Sequence, residues 1–193
     1  GLLFMFGLRW QFILSIFLVS IPTFYFLVMT VPYRKARLLS FLDPWADPTK
    51  GGFQVIQSLL SFSSGGVFGV GLGQGQGKLF FLPEAHTDFT LAVYGEELGF
   101  AGYIVLMLFY GFLIFRGFAI GFNVRDIYAR CIALGLTLLF ALQIFVNIGV
   151  VLGMLPPKGL TLPFLSYGGS HLLMMGILFG ILLNIERTFL RRN

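Results

Sequence analysis

The sequence predicts an all-α membrane protein with four transmembrane helices and one large extracytoplasmic loop, and three observations lead there. Mean hydropathy is +0.89, only 11% of the 193 residues are charged, and 24 are Phe, which lies outside the range of soluble globular chains. Apolar runs fall at residues 12–31, 98–115, 131–152 and 167–185, and about 20 such residues cross a hydrocarbon core of roughly 30 Å as a helix. Between the first two runs, residues 32–88 form a loop rich in Gly, Pro and charge.

The first run is too long for a signal peptide, and no small-residue cleavage site follows it. Pro22 interrupts it and favours a kink. Beyond Pro32, the stretch FLDPWADPTK at 41–50 carries two Asp-Pro steps and a Trp, which read as turns at the membrane interface. Residues 53–62 set Phe53, Val55, Ile56, Leu59, Leu60 and Phe62 largely opposite Gln54, Gln57, Ser58 and Ser61. That pattern predicts a short amphipathic helix, interfacial or re-entrant. Seven glycines at 63–77 then disfavour a packed helix and suggest backbone that comes close to something. This stretch is no nucleotide cradle: Leu79 follows Gly77-Lys78, and Leu72 stands where a P-loop needs glycine.

Pro83 suits a helix first turn, with Glu84 near the positive end of the dipole. A helix from Pro83 to Phe115 would be about 50 Å long, so its first turns would project beyond the bilayer. Glu84 and Asp88 would share one face, with Glu96 near them and Glu97 opposite. In the third run, Gln143 and Asn147 should face protein, because an unpaired amide in hydrocarbon is costly. Residues 153–169 hold three prolines and four glycines around a lone Lys158, a shaped loop.

The segment LPEAHTDF at 82–89 gathers Glu84, His86 and Asp88 beside a membrane helix, where ionisable groups are functional candidates. A carboxylate there could act as general base, and helix N–H groups could meet a phosphate. A solvated helix start explains the same residues without chemistry. Lys158 is read equally as a snorkelling anchor, and Arg34, Lys35 and Arg37 as headgroup contacts. His86 and His171 are 85 positions apart, and no Cys/His spacing of a zinc motif occurs. An oxygen-ligand Mg²⁺ or Mn²⁺ site using Asp88 stays open. Cys131 stands alone, so no intrachain disulfide forms. Arg9, Arg116, Arg125, Arg130, Arg187, Arg191 and Arg192 lie in short segments on one side, which favours cytoplasmic termini. The Arg34-Lys35-Arg37 cluster beside the first run argues the other way.

FLDPWADP at 41–48, GVGLGQGQGKLFFLPEAHTDF at 69–89, GEELGFAG at 95–102 and MLPPKGLTLPFLSYGGS at 154–170 resemble the SEDS family (shape, elongation, division, sporulation) over nearly the whole chain. DPWADP, Glu84-Ala85-His86 and the loop at Lys158 resemble its cell-division branch, FtsW. The elongation branch, RodA, usually has arginine before the histidine and lacks that lysine. His171 departs from the small residue usual after YGGS.

The resemblance implies the C-terminal four helices of a bundle of about ten, whose other helices supply part of the substrate cavity. A piece lacking them need not be active alone. It implies a peptidoglycan glycosyltransferase of the bacterial inner membrane and division septum, polymerising lipid II beside a class B penicillin-binding protein and other division proteins. No nucleic-acid partner is expected. It makes Asp88 the essential carboxylate, the general base, and undecaprenyl pyrophosphate the leaving group. Lys158, Glu84, His86 and Lys78 are then expected around substrate, and Mg²⁺ or Mn²⁺ is a candidate at Asp88. The alternatives are a RodA-like polymerase, a lipid II flippase with Gln143, Asn147 and Pro22 along its path, and a non-catalytic scaffold of the division complex.

Overall fold

The computed structural model describes residues 10–31, 43–46, 48, 52–75, 89–156, 159 and 161–189. The chain divides into two compact units, Gly1–Gly52 and Phe53–Asn193. In the first, α1 (Trp10–Met29) carries Pro22 inside it, and Thr23 Oγ donates to the Val19 carbonyl at 2.7 Å, one turn back. A 3₁₀ turn, Pro44–Ala46, follows, as expected of the Asp-Pro steps.

The second unit holds α2 (Phe53–Ser64), α3 (Thr90–Asn123), α4 (Ile127–Val151) and α5 (Gly169–Phe189). Helices α3, α4 and α5 are each long and apolar enough to cross a membrane, and all described secondary structure is helical. With its family membership, given below, this makes the chain a multi-pass membrane protein. Much of the apolar surface is exposed: Leu108, Phe112, Phe115 and Phe145 point outward, as lipid-facing side chains do.

Only Val124, Arg125 and Asp126 separate α3 from α4, so the two run antiparallel. The third helix starts earlier than residue 131. The charges at 125–130 shortened the expected run, but Asp126 is an N-cap whose carboxylate accepts the Ala129 N–H at 2.7 Å. Gly117 and Gly121 form a small-xxx-small pair on the inner face of α3. A Cβ on either would stand 2.5 Å from Thr137 Oγ1 or Leu134 Cδ2. At its far end α4 closes in a Schellman motif: Gly153 has φ +68°, and the Met154 and Gly153 amides donate to the Gly149 and Val150 carbonyls. Helix α5 opens onto the same cleft as Thr90 of α3 near its own start and reaches Arg116 of α3 near its end, where Glu186 pairs with the guanidinium at 2.9 Å. It therefore runs parallel to α3. Leu106, Tyr110, Phe140, Ile144, Met175, Leu178 and Leu182 fill the core between the three.

The amphipathic helix at 53–62 extends to Ser64 and is packed on protein. Val55, Ile56, Ser58 and Ser61 are buried, and Ser58 Oγ donates to the Val151 carbonyl at 3.0 Å. Phe62 meets Tyr103 edge-on at 5.4 Å.

The long helix departs from expectation. It begins at Thr90 after a non-helical Phe89 (φ −108°, ψ 19°), and Gly99 at φ +67°, ψ −169° breaks it. One continuous helix from Pro83 to Phe115 is therefore corrected to a short segment, Thr90–Leu98, kinked against the span that follows. The expected shared face of Glu84 and Asp88 lies outside the described residues.

Candidate active site

The glycine-rich stretch does come close to something. Across the Gly99 break its backbone exchanges hydrogen bonds with α3: Val70 and Gly71 N–H donate to the Glu96 and Glu97 carbonyls, at 3.0 and 3.1 Å. In return, Phe100 and Ala101 N–H donate to the Gly66 and Val67 carbonyls, at 2.9 and 3.0 Å. These bonds satisfy groups that the kink removes from the helix ladder. Gly75 lies over both acidic side chains, where a Cβ would be 3.1 Å from Glu97 Cγ and 3.3 Å from Glu96 Oε2. Glu96 and Glu97 are 4% and 7% exposed. The wrapped loop covers both side chains just before the break. The expected placement of Glu96 near Asp88 and of Glu97 opposite it involves a residue outside the described ones. The flanking Gly95 and Gly99 were the available signal: glycine on both sides of two acids marks close backbone approach.

At the start of α3 a cleft of about 680 Å³ is lined by Thr90, Phe164, Leu165, Ser166, Tyr167, Gly168, Gly169 and Leu172. Its wall is a tight turn made by LPFLS. Leu162 N–H donates to Ser166 Oγ at 2.8 Å, Ser166 N–H returns to the Leu162 carbonyl at 3.1 Å, and Ser166 Oγ donates to Thr90 Oγ1 at 3.1 Å. Tyr110 donates its buried hydroxyl to the Pro163 carbonyl at 2.6 Å. A straight helix would put Thr90 and Tyr110 about 30 Å apart. Both touch one five-residue turn, so the break at Gly99 folds the first segment back toward the bundle.

Asp88, Glu84, His86, Lys78 and Lys158 lie outside the described residues. The residues beside them are described: Phe89 is fully buried, Thr90 lines the cleft, and Gly159 is exposed at φ +64°. The structure thus joins the residues that follow HTD to the loop that follows Lys158. His171 is half-buried in the first turn of α5. Asn147 faces protein, as expected, at 1% exposure. Gln143 is half-buried, and its Oε1 has no hydrogen-bond partner among the described residues. Among those residues no three His, Cys, Asp or Glu side chains gather to hold a metal ion.

The model of the FtsW, RodA and SpoVE family of cell cycle proteins matches residues 1–190. The chain belongs to this family. It is 51% identical over 185 residues to the probable peptidoglycan glycosyltransferase FtsW of Geobacter metallireducens, covering 96% of this chain and 49% of that one. It is 45% identical over 186 residues to stage V sporulation protein E of Bacillus subtilis, covering 96% and 51%. Among solved structures, one on the coordination of polymerization and crosslinking by a peptidoglycan synthase complex superimposes with a TM-score of 0.71 at 31% identity. The match covers 97% of this chain and 52% of that one. A mutant of the rod shape determining protein RodA from Thermus thermophilus gives 0.51 at 34% identity, over 69% and 41%. The chain spans about half the length of the curated relatives it matches. The SEDS resemblance is borne out, and the FtsW names among these relatives agree with the cell-division branch.

Proposed function

We propose that this chain is the C-terminal part of a peptidoglycan glycosyltransferase that polymerises lipid II during cell division, with α1 as a fourth span. The observation that carries the reading is the cleft at the origin of α3, which joins the residue two places after Asp88 to the turn that follows Lys158. Relatives named peptidoglycan glycosyltransferase FtsW add support. The cleft mixes aromatic and aliphatic side chains with the hydroxyls of Thr90, Ser166 and Tyr167, which suits a substrate that is part polyprenyl chain and part sugar.

In this reading Asp88 takes the proton from the acceptor sugar 4-hydroxyl as that oxygen attacks the donor anomeric carbon. The bond to undecaprenyl pyrophosphate breaks with the electron pair leaving on the phosphate oxygen. General-base help of this kind contributes on the order of 10²–10⁴-fold. Lys158 and Lys78 would balance the departing negative charge, with Glu84 and His86 placed near substrate. A divalent cation, Mg²⁺ or Mn²⁺, would draw its ligands from Asp88 and the substrate phosphates. The transpeptidase partner would be a class B penicillin-binding protein, in the inner membrane at the septum.

In the full-length protein, Asp88→Asn should reduce polymerisation of purified lipid II by at least about 100-fold while leaving expression and thermal unfolding unchanged. Near-normal polymer from that variant would remove the assignment. Polymer made from lipid II in detergent, with no gradient or second compartment, separates this reading from a flippase. Normal division with Asp88→Asn would favour a scaffold.

A further inference from the structure

We propose that Ser166 is a positioning residue, acting with Thr90 as a hydroxyl clamp that fixes the cleft wall to the chain segment entering α3. The inference rests on the proposed function and adds to it a residue pair and a role. Ser166 Oγ accepts from the Leu162 amide at 2.8 Å and donates to Thr90 Oγ1 at 3.1 Å. One hydroxyl therefore closes its own turn and bonds across 76 residues to another element.

The turn behind it is held rigidly. Leu162 and Pro163 are buried, and the Pro163 carbonyl takes the Tyr110 hydroxyl at 2.6 Å. Phe164 is fixed at φ +66° with its ring against Phe140 and Phe179. Such strain persists only where surrounding contacts over-determine it. The turn is thus a fixed reference, and Ser166 is the atom through which it reaches Thr90.

Thr90 follows Asp88 by two residues, so the two Cα atoms can be at most about 7 Å apart along the chain. Phe89 between them is fully buried and non-helical, so no side-chain cap ties down the start of α3. The Ser166–Thr90 bond is a tie from this helix start across to the cleft wall. A carboxylate acting as base must sit within hydrogen-bond reach of the proton it takes, and displacement by about 1 Å can cost on the order of 100-fold.

The test uses the full-length protein with lipid II as substrate. Ser166→Ala and Thr90→Ala should each lower kcat by about 10-fold and change KM by less than about 2-fold. The losses of the two singles should not multiply in the double variant, because both remove the one Ser166–Thr90 bond. Thr90→Ser, which keeps the hydroxyl, should hold kcat within about 2-fold of wild type. Hydrogen exchange at the amides of Leu91–Val93 should quicken in both alanine variants.

Wild-type kcat in Ser166→Ala, with Asp88→Asn inactive, overturns the clamp and leaves the polymerase reading in place. So do losses that multiply in the double variant, or losses confined to KM. Normal polymer from Asp88→Asn removes the reading and the clamp's purpose with it. If Ser166→Ala does not fold, Thr90→Ala set against Thr90→Ser decides.

Discussion

Phe164 is the one non-glycine residue at positive φ among the described residues, a conformation costing a bulky side chain roughly 1–2 kcal/mol. Its ring offsets that cost by packing 5.3 Å from Phe179 and 6.3 Å from Phe140. Aromatic pairs of this kind contribute about 0.5–1.5 kcal/mol each beyond burial. The loop carrying Lys158 therefore ends on a fixed point, which suits a lysine that must meet a charge at a set distance. Lys158→Ala in the full-length protein should lower lipid II polymerisation by at least about 10-fold, whereas Lys158→Arg, which keeps the charge, should retain more of it. Wild-type rates in both variants would reduce Lys158 to a membrane anchor.

At the scale of elements, α3 contains two glycines with opposite requirements. Gly99 sits at φ +67°, ψ −169°, and a Cβ there would be 2.6 Å from the Val67 carbonyl oxygen. Gly111 has ordinary helical neighbours and nothing within 4 Å of a Cβ. Gly99→Ala should destabilise the detergent-solubilised protein by about 1–3 kcal/mol, with a lower thermal midpoint. Gly111→Ala should stabilise it by up to about 1 kcal/mol. Equal midpoints for the two variants would mean the break at Gly99 is not required. The same helix shows what the sequence makes legible. Long apolar runs announced α3, α4 and α5 because a bilayer-length helix needs little else. Their ends were less legible, since a capping Asp126 looks like any loop charge until its bond to Ala129 is seen. The kink was hidden because helical periodicity assumes a straight axis. The burial of Glu96 and Glu97 follows from pairing with residues 66–71, a non-local contact that periodicity cannot register. Ser166 and Thr90 carry no charge and lie 76 residues apart, so only their bond joins them.

At the scale of the whole molecule, the membrane sides of the ends and loops decide whether the proposed chemistry can occur, because lipid II polymerisation is placed on the outer face. Arg116, Arg125, Arg130 and Arg187 gather where α3 turns into α4 and where α5 ends. The loop before α5 has Lys158 as its lone charge over residues 153–169. The positive-inside rule favours the arginine end in the cytoplasm, and under the proposed function the cleft at Thr90, at the opposite end of the bundle, would face outward. In a full-length background with Cys131 replaced, single cysteines at the exposed positions Asp43 and Met154 should label with an impermeant thiol reagent on intact spheroplasts. A cysteine at the exposed Asn123, the last residue of α3, should label only after lysis. The reverse pattern would place the cleft in the cytoplasm and remove the polymerase reading. Labelling at Met154 but not Asp43 would instead move α1 out of the expected topology while keeping the cleft outside.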